Sequence, residues 1–131
     1  MNKKDIISRL QELYIYDLFG FKTELKPLSM ILNIDETFNC MATGIHEGKR
    51  RLICVTEYRV IILATPVLGA VESTIIKRKA VVNFEADKKF FTSWLSVTTK
   101  DQTYLFRHTQ KKIIDLYLWA MEQPIKEYDN K

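Results

Sequence analysis

Two short runs of cations carry the most obvious chemical potential in this chain. Lys49, Arg50 and Arg51 follow Gly48, and Lys77, Arg78 and Lys79 form a second run. Adjacent cations on a short hairpin converge on an anion, and an arginine fork binds phosphate or carboxylate through two parallel hydrogen bonds. The plainer reading of each run is a solvated turn, partly neutralised in the first case by Glu47. Nucleic-acid binding would need a broader basic face interleaved with exposed aromatics. The aromatic nearest the second run, Phe84, falls in an expected strand, so nucleic acid is disfavoured as a partner.

Catalysis has less to stand on. His46 and His108 sit at no ligand-like spacing from Cys40 and Cys54, so no metal site is expected. No Ser, Cys or Asp lies near His108 at a spacing that would make it a catalytic base, and it is read as a strand-end residue. The two cysteines read as free buried thiols in a reducing cytoplasm. No catalytic residue and no cofactor is expected. Arg59 could touch a ligand, but an arginine at a hairpin corner more often ties down the turn or pairs with an acid, here Glu57 or Glu72.

The bulk properties bound the rest. At 131 residues, with 47% hydrophobic and 27% charged residues, the chain is expected to be one soluble globular domain. A formal charge of +4 is compatible with an anionic partner and too small to require one. No apolar run approaches the roughly 20 residues of a membrane-spanning helix. The amino-terminal segment carries Asp5, Arg9, Glu12 and Asp17 where a secretory signal needs an unbroken apolar stretch. A cytoplasmic protein, in one variant peripheral to the membrane, is the expectation.

These residues must be held by a β-rich scaffold with helices at both ends. Asn2 can cap a first helix over residues 3–19, with Ile6, Leu10, Leu13/Tyr14 and Leu18 at helical spacing and Gly20 as its stop. After Pro27 a second helix is expected from about Leu28 to Leu32, then a turn at Asn33-Ile34-Asp35-Glu36. Seven strands come next, over residues 37–44, 52–55, 60–64, 71–76, 80–84, 90–98 and 103–107, with Pro66 and Gly69 breaking the chain after the third. The second and third are continuously apolar and flank the polar corner Thr56-Glu57-Tyr58-Arg59, which fits strands covered on both faces, or covered on one face and packed on a partner or neighbouring subunit on the other. Folding the last hairpin about Lys100-Asp101 sets Val97 against Tyr104 and Leu95 against Phe106 on one face. Trp94 then lies on the other face, either covered by the amino-terminal helix or offered to a partner. A closing helix capped by Thr109 carries Ile113, Ile114, Leu116, Tyr117, Leu118, Trp119 and Met121 before Pro124, with Trp119 expected in the core.

Seven short antiparallel strands closed by a carboxy-terminal helix resemble a pleckstrin-homology (PH) barrel. The run from Glu24-Leu25-Lys26-Pro27-Leu28 through Leu32-Asn33-Ile34-Asp35-Glu36 looks like the helical lead-in of bacterial PH domains of the YokE-like type. Gly44, the run Leu52 to Val55, the Thr56-x-x-Arg59 corner and Val60 to Leu63 are similar to the next elements of that family, and the likeness continues through Ile75/Ile76 and Val81-Val82 to the closing helix. The resemblance implies an α+β, mainly β fold: a seven-stranded PH-like barrel or sandwich with extra amino-terminal helices. On that reading residues 1–33 are a helical lead-in, residues 34–123 the barrel with its helix, and 1–131 one domain. It implies binding without catalysis. In eukaryotic PH domains, basic residues in the loop corresponding to Lys49-Arg50-Arg51 hold phosphoinositide headgroups.

The leading functional expectation is therefore a non-enzymatic binding or assembly module, a homo-oligomer or the holder of a protein partner. Trp94, Leu10, Tyr14, Leu18 and Tyr117 are the interface candidates. The alternative is a peripheral module that holds anionic membrane lipid through Lys49, Arg50, Arg51, Lys77, Arg78 and Lys79.

Overall fold

In a computed structural model, which describes residues 1–16, 22–64, 71–89 and 92–127, the order of elements follows the alternation of the sequence. Two helices, α1 (Lys3–Glu12) and α2 (Lys22–Ile31), precede β1 (Phe38–His46), β2 (Lys49–Thr56), β3 (Arg59–Ala64) and β4 (Glu72–Lys77). A 3₁₀ turn (Arg78–Ala80) leads to β5 (Asn83–Lys88), β6 (Ser93–Thr98), β7 (Thr103–Thr109) and the final helix α3 (Lys111–Glu122). The strands form one antiparallel sheet in the order β4-β3-β2-β1-β7-β6-β5. This strand order, packed by a carboxy-terminal helix, is a PH-like α+β fold.

Register sorts the side chains. Val97 lies opposite Tyr104 and Leu95 opposite Phe106, the pairing expected for the last hairpin. Leu95, Val97 and Phe106 are fully buried, so their face is the inner one, and α3 packs there through Ile113, Ile114 and Tyr117. The Tyr117 hydroxyl donates to Ser96 O at 2.7 Å. Burial pushes that phenol's pKa up.

Trp94 pairs with Arg107, and Arg107 with Ile45, which makes the row through Ile45 and Arg50 outward. The next rows on that outer face contain Leu52 and Leu63, then Met41, Cys54 and Ile61. All five are fully buried. Their cover is the amino-terminal unit, whose Ile6, Leu10, Ile15, Leu28 and Leu32 belong to the same apolar cluster. Each such side chain withdrawn from water stabilises the fold by roughly 1.5–3 kcal/mol. The two-sided cover that the apolar strands require is thus met within the chain, by α1 and α2 outside and α3 inside.

A buried carboxylate locks the outer cover in place. Glu36 is 1% exposed. It accepts from Arg59 Nε at 3.0 Å, from the Arg59 guanidinium again at 2.8 Å, from Thr56 Oγ1 at 2.7 Å and from the Asn33 amide at 3.2 Å. Arg59 also donates to Ile31 O at 2.6 Å, satisfying a carbonyl at the end of α2. Thr56 Oγ1 accepts from the amides of Tyr58 and Arg59, which holds the corner without glycine. Arg59 is structural, as expected, but its acid is Glu36 rather than Glu57 or Glu72.

Several boundaries differ from the sequence expectation. The first helix stops at Glu12, because Tyr14 adopts a left-handed φ of 60° and the Ile15 amide returns to Leu10 O at 3.0 Å, a Schellman stop without glycine. Ile15 folds back into the core, so its apolar character mimics another helical turn. Asn2 caps as expected, in a capping box with Asp5. The second helix starts at Lys22 and carries Pro27 inside it, where burial of Leu28 and Leu32 and the Arg59 cap offset the missing amide. The first two strands extend to a two-residue Glu47–Gly48 turn with φ values of 52° and 75°. The fifth strand begins at Asn83 rather than residue 80, and Gln110, not Thr109, precedes α3, because the 3₁₀ turn and the last residues of β7 occupy those positions. Leu18, Gly20, Pro66, Gly69 and Phe90 lie outside the described residues.

The Glu36 cluster sets an acid dependence. Burial raises the carboxyl's pKa, but the hydrogen bonds from Arg59, Thr56 and Asn33, with the Arg59 charge, leave it below the ordinary 4.5. The unfolded chain therefore takes up this proton first as pH falls. The contribution is full above the unfolded pKa and is lost as pH drops through the folded one. Urea unfolding should show Glu36→Gln less stable at neutral pH by about 3 kcal/mol, the cost of breaking a buried pair. The gap to wild type should close in acid; an equal gap at every pH would contradict this account.

Candidate functional site

The six candidate cations do not converge. Lys49 and Arg50 are exposed at the β1–β2 turn, while Arg51 donates to His46 O at 3.2 Å and lies 3.9 Å from Glu47. Lys77 and Lys79 are exposed at the far end of the sheet, where Arg59 pairs with Lys77. The length of β2, about 23 Å at roughly 3.3 Å per residue, separates the two runs. Between Lys77 and Lys79, Arg78 is no surface cation at all. It is 2% exposed and donates to Thr56 O at 2.8 Å, Met121 O at 2.8 Å and Gln123 O at 3.3 Å, fastening the end of α3. Burial draws its pKa down, against the opposing charges of Tyr117 and Glu57, and backbone carbonyls accept its hydrogen bonds.

The interface candidates also divide. Leu10 and Tyr117 belong to the core, because α1 turns Leu10 onto the sheet and α3 turns Tyr117 into it. Leu18 lies outside the described residues. Tyr14 stands 91% exposed. Trp119, expected in the core, is 44% exposed because the neighbouring positions Tyr117, Ala120 and Met121 take the buried face of α3. Cys40 and Cys54 are free and buried, and burial raises both thiols far from reactivity. Among the described residues, no group of three His, Cys, Asp or Glu side chains comes together as a metal site.

Among the described residues, no helix lies over the outer face of β5, β6 and β7. Here Glu85, Lys89, Trp94, Leu105, Arg107 and His108 line a groove of ≈ 660 Å³. Pairing rows build it: Glu85, Ser96 and Leu105 in one, Asp87, Trp94 and Arg107 in the next. Two residues along the strands separate the rows by about 7 Å. Lys89 sits 3.6 Å from Asp87. Arg107 is exposed and its side chain has no hydrogen-bond or ion-pair partner among the described residues. The groove thus offers an aromatic and aliphatic floor with Arg107 and His108 on its β7 side, the Asp87–Lys89 pair on its β5 side and Glu85 in the next row.

The Arg107 side is built on an irregular backbone. Ser93 pairs with Thr109 and Trp94 with Arg107, so His108 is an extra residue, a β-bulge with φ 57°. Bulges re-aim side chains, and here the bulge brings His108 to the groove. Ser93 Oγ and Thr109 Oγ1 beside it are buried without a hydrogen-bond partner among the described residues. Strain and unpaired groups concentrate where function constrains a fold. Sequence reading placed Trp94 outside but passed over Arg107, although the same hairpin register pairs the two.

No family model matches the chain, and no curated protein matches it. Among solved structures, it is similar to a DUF1696 family protein with a pleckstrin-homology domain from Shewanella loihica PV-4, at 17% identity and a TM-score of 0.45, covering 77% of this chain and 90% of that one. It is also similar to a pleckstrin homology domain from Shewanella amazonensis SB2B, at 19% identity and a TM-score of 0.47, covering 77% of this chain and 82% of that one. No helix of the described residues is long and apolar enough to cross a membrane.

The bulge makes a stability prediction. Glycine at position 108 relieves a left-handed penalty of roughly 1–2 kcal/mol against a glycine entropy cost of roughly 0.5–1 kcal/mol. His108→Gly should gain about 0.5–1 kcal/mol in urea unfolding; a loss would mean that the imidazole holds the bulge.

Proposed function

We propose that the protein is a non-enzymatic PH-like module of the YokE-like type that mediates protein–protein association, self-association foremost. The observation that carries the reading is the division of the outer sheet face. Over β1–β3 it is sealed by the chain's own helices, and over β5–β7 it is left as a groove with Trp94 in its floor. A half-buried tryptophan beside an arginine is the combination enriched at interface hot spots. The YokE-like assignment draws on Gly44, the Thr56-x-x-Arg59 corner and the apolar strands around it. Light scattering across the micromolar range should give a concentration-dependent oligomer for wild type and a monomer for Trp94→Asp, with the fold of the variant checked by urea unfolding. A strict wild-type monomer would sink self-association.

A second reading keeps the exposed Lys49 and Arg50 at the β1–β2 tip as a contact for an anionic membrane surface. Their position at one extremity of the sheet favours it, and with Arg51 and Arg78 engaged internally the contact is small. Wild type should sediment with phosphatidylserine-containing vesicles at low salt and be released by added salt, while Lys49→Glu/Arg50→Glu should stay in solution. Equal sedimentation of the two proteins would remove the tip from consideration.

A further inference from the structure

We infer that copies of this chain associate head to tail, the Ile34–Asp35 turn of one copy seating in the Trp94–Arg107 groove of the next. The inference rests on the self-association reading and names the two surfaces that meet.

Ile34 is 97% exposed and Met30, in the last turn of α2, is 80% exposed. Exposed apolar side chains are ordinary, but this one is presented on a rigid support. The Glu36 amide donates to Asn33 O at 3.1 Å, and the Asn33 amide donates back to Glu36 Oε1 at 3.2 Å. Glu36 itself is anchored on Arg59 beneath. The turn therefore points Ile34 and the exposed Asp35 outward in one fixed conformation, which removes most of the ordering cost of binding. Lys126 lies near, its pKa raised first by its hydrogen bond to Glu57 and least by Asp35. Its Nζ is held by Glu57 at 2.8 Å.

The groove offers this knob an apolar floor and, at Arg107, an opposite charge. Trp94 and Leu105 provide an apolar floor for an isoleucine, and Arg107 with His108 stands where a neighbouring carboxylate would lie. Within one copy the two surfaces cannot meet. The turn lies beside the β2–β3 corner through Glu36, and Arg107 lies beside Ile45 at the other end of β1. Seven residues of strand separate those ends, about 23 Å. A second copy displaced along the strand direction brings them together. Such a contact uses different surfaces on the two copies, so it extends as a ring or an open chain rather than a two-fold dimer. One knob of two exposed residues is small beside the roughly 800 Å² per partner of stable complexes, so the association is expected to be weak.

Sedimentation equilibrium tests this with Asp35→Arg, Arg107→Glu and Ile34→Ser, each confirmed folded by its urea transition. Wild type should associate in the micromolar range, and each variant alone should weaken that association by about tenfold or more. Mixing Asp35→Arg with Arg107→Glu should restore it, because the mixture regenerates one native contact and one with the charges exchanged. If wild type associates and the three variants match it, this contact is wrong while self-association stands. Should the single variants fail and the mixture not recover, the Asp35–Arg107 pairing is wrong. A wild-type monomer overturns this inference and the self-association reading together.

Discussion

The structure turns on the corner at Thr56. Its hydroxyl donates to the Glu36 carboxylate on the outer side of the sheet, and its carbonyl accepts from Arg78, which also holds the end of α3. One residue thus serves two buried charged groups that fasten helices to opposite faces of the β2–β3 ribbon. Neither group would be stable there alone. An unpaired buried carboxylate or guanidinium costs several kcal/mol, so each exists only because its acceptors or donors are in place. The apolar strands create the need for cover, and the polar corner decides how the cover sits.

Satisfying that need changes what the remaining surface can do. Apolar strands and an additional amphipathic helix look, in isolation, like surfaces awaiting a partner. Here they are partners of each other, and the bulk of the apolar excess is consumed inside the molecule. The surface left for recognition is the other half of the sheet, where no described helix lies over the outer face of β5–β7. Gly44 connects the halves. A Cβ there would stand 2.9 Å from Phe106 Cβ and 3.1 Å from Arg107 O, so only glycine allows β1 to approach β7 this closely. The same approach sets Arg107 beside Ile45 and fixes the edge of the groove.

The strands along the chain and the last hairpin's register were legible because alternation and turn spacing are local signals. Leu95, Val97, Tyr104 and Phe106 could be paired by counting outward from Lys100-Asp101, and the structure pairs them so. What local reading missed depends on distant partners. Arg78 looks like the middle of a basic turn until α3 brings the carbonyls of Met121 and Gln123 to it. Glu36 looks like a turn residue until Arg59, 23 positions later, reaches it. Ile15 reads as helix because a Schellman stop places an apolar residue where another turn would. The bulge at His108 leaves no trace in periodicity, since an extra residue near a strand end displaces almost nothing beyond it within the strand.

The same corner explains why a buried ion pair persists where an apolar contact would suffice for stability. Buried pairs contribute little net energy compared with well-packed apolar groups of the same volume. Their geometry is directional, however, and Glu36 accepts from three residues at once while lying within a four-residue turn. An apolar side chain at that position could hold the helices down but could not dictate which way residues 34 and 35 face. Since Ile34 and Asp35 sit at the surface with no packing of their own to orient them, the direction of the turn is inherited from the carboxylate beneath. The interaction that closes the core is therefore also the one that shapes the most exposed aliphatic point among the described residues.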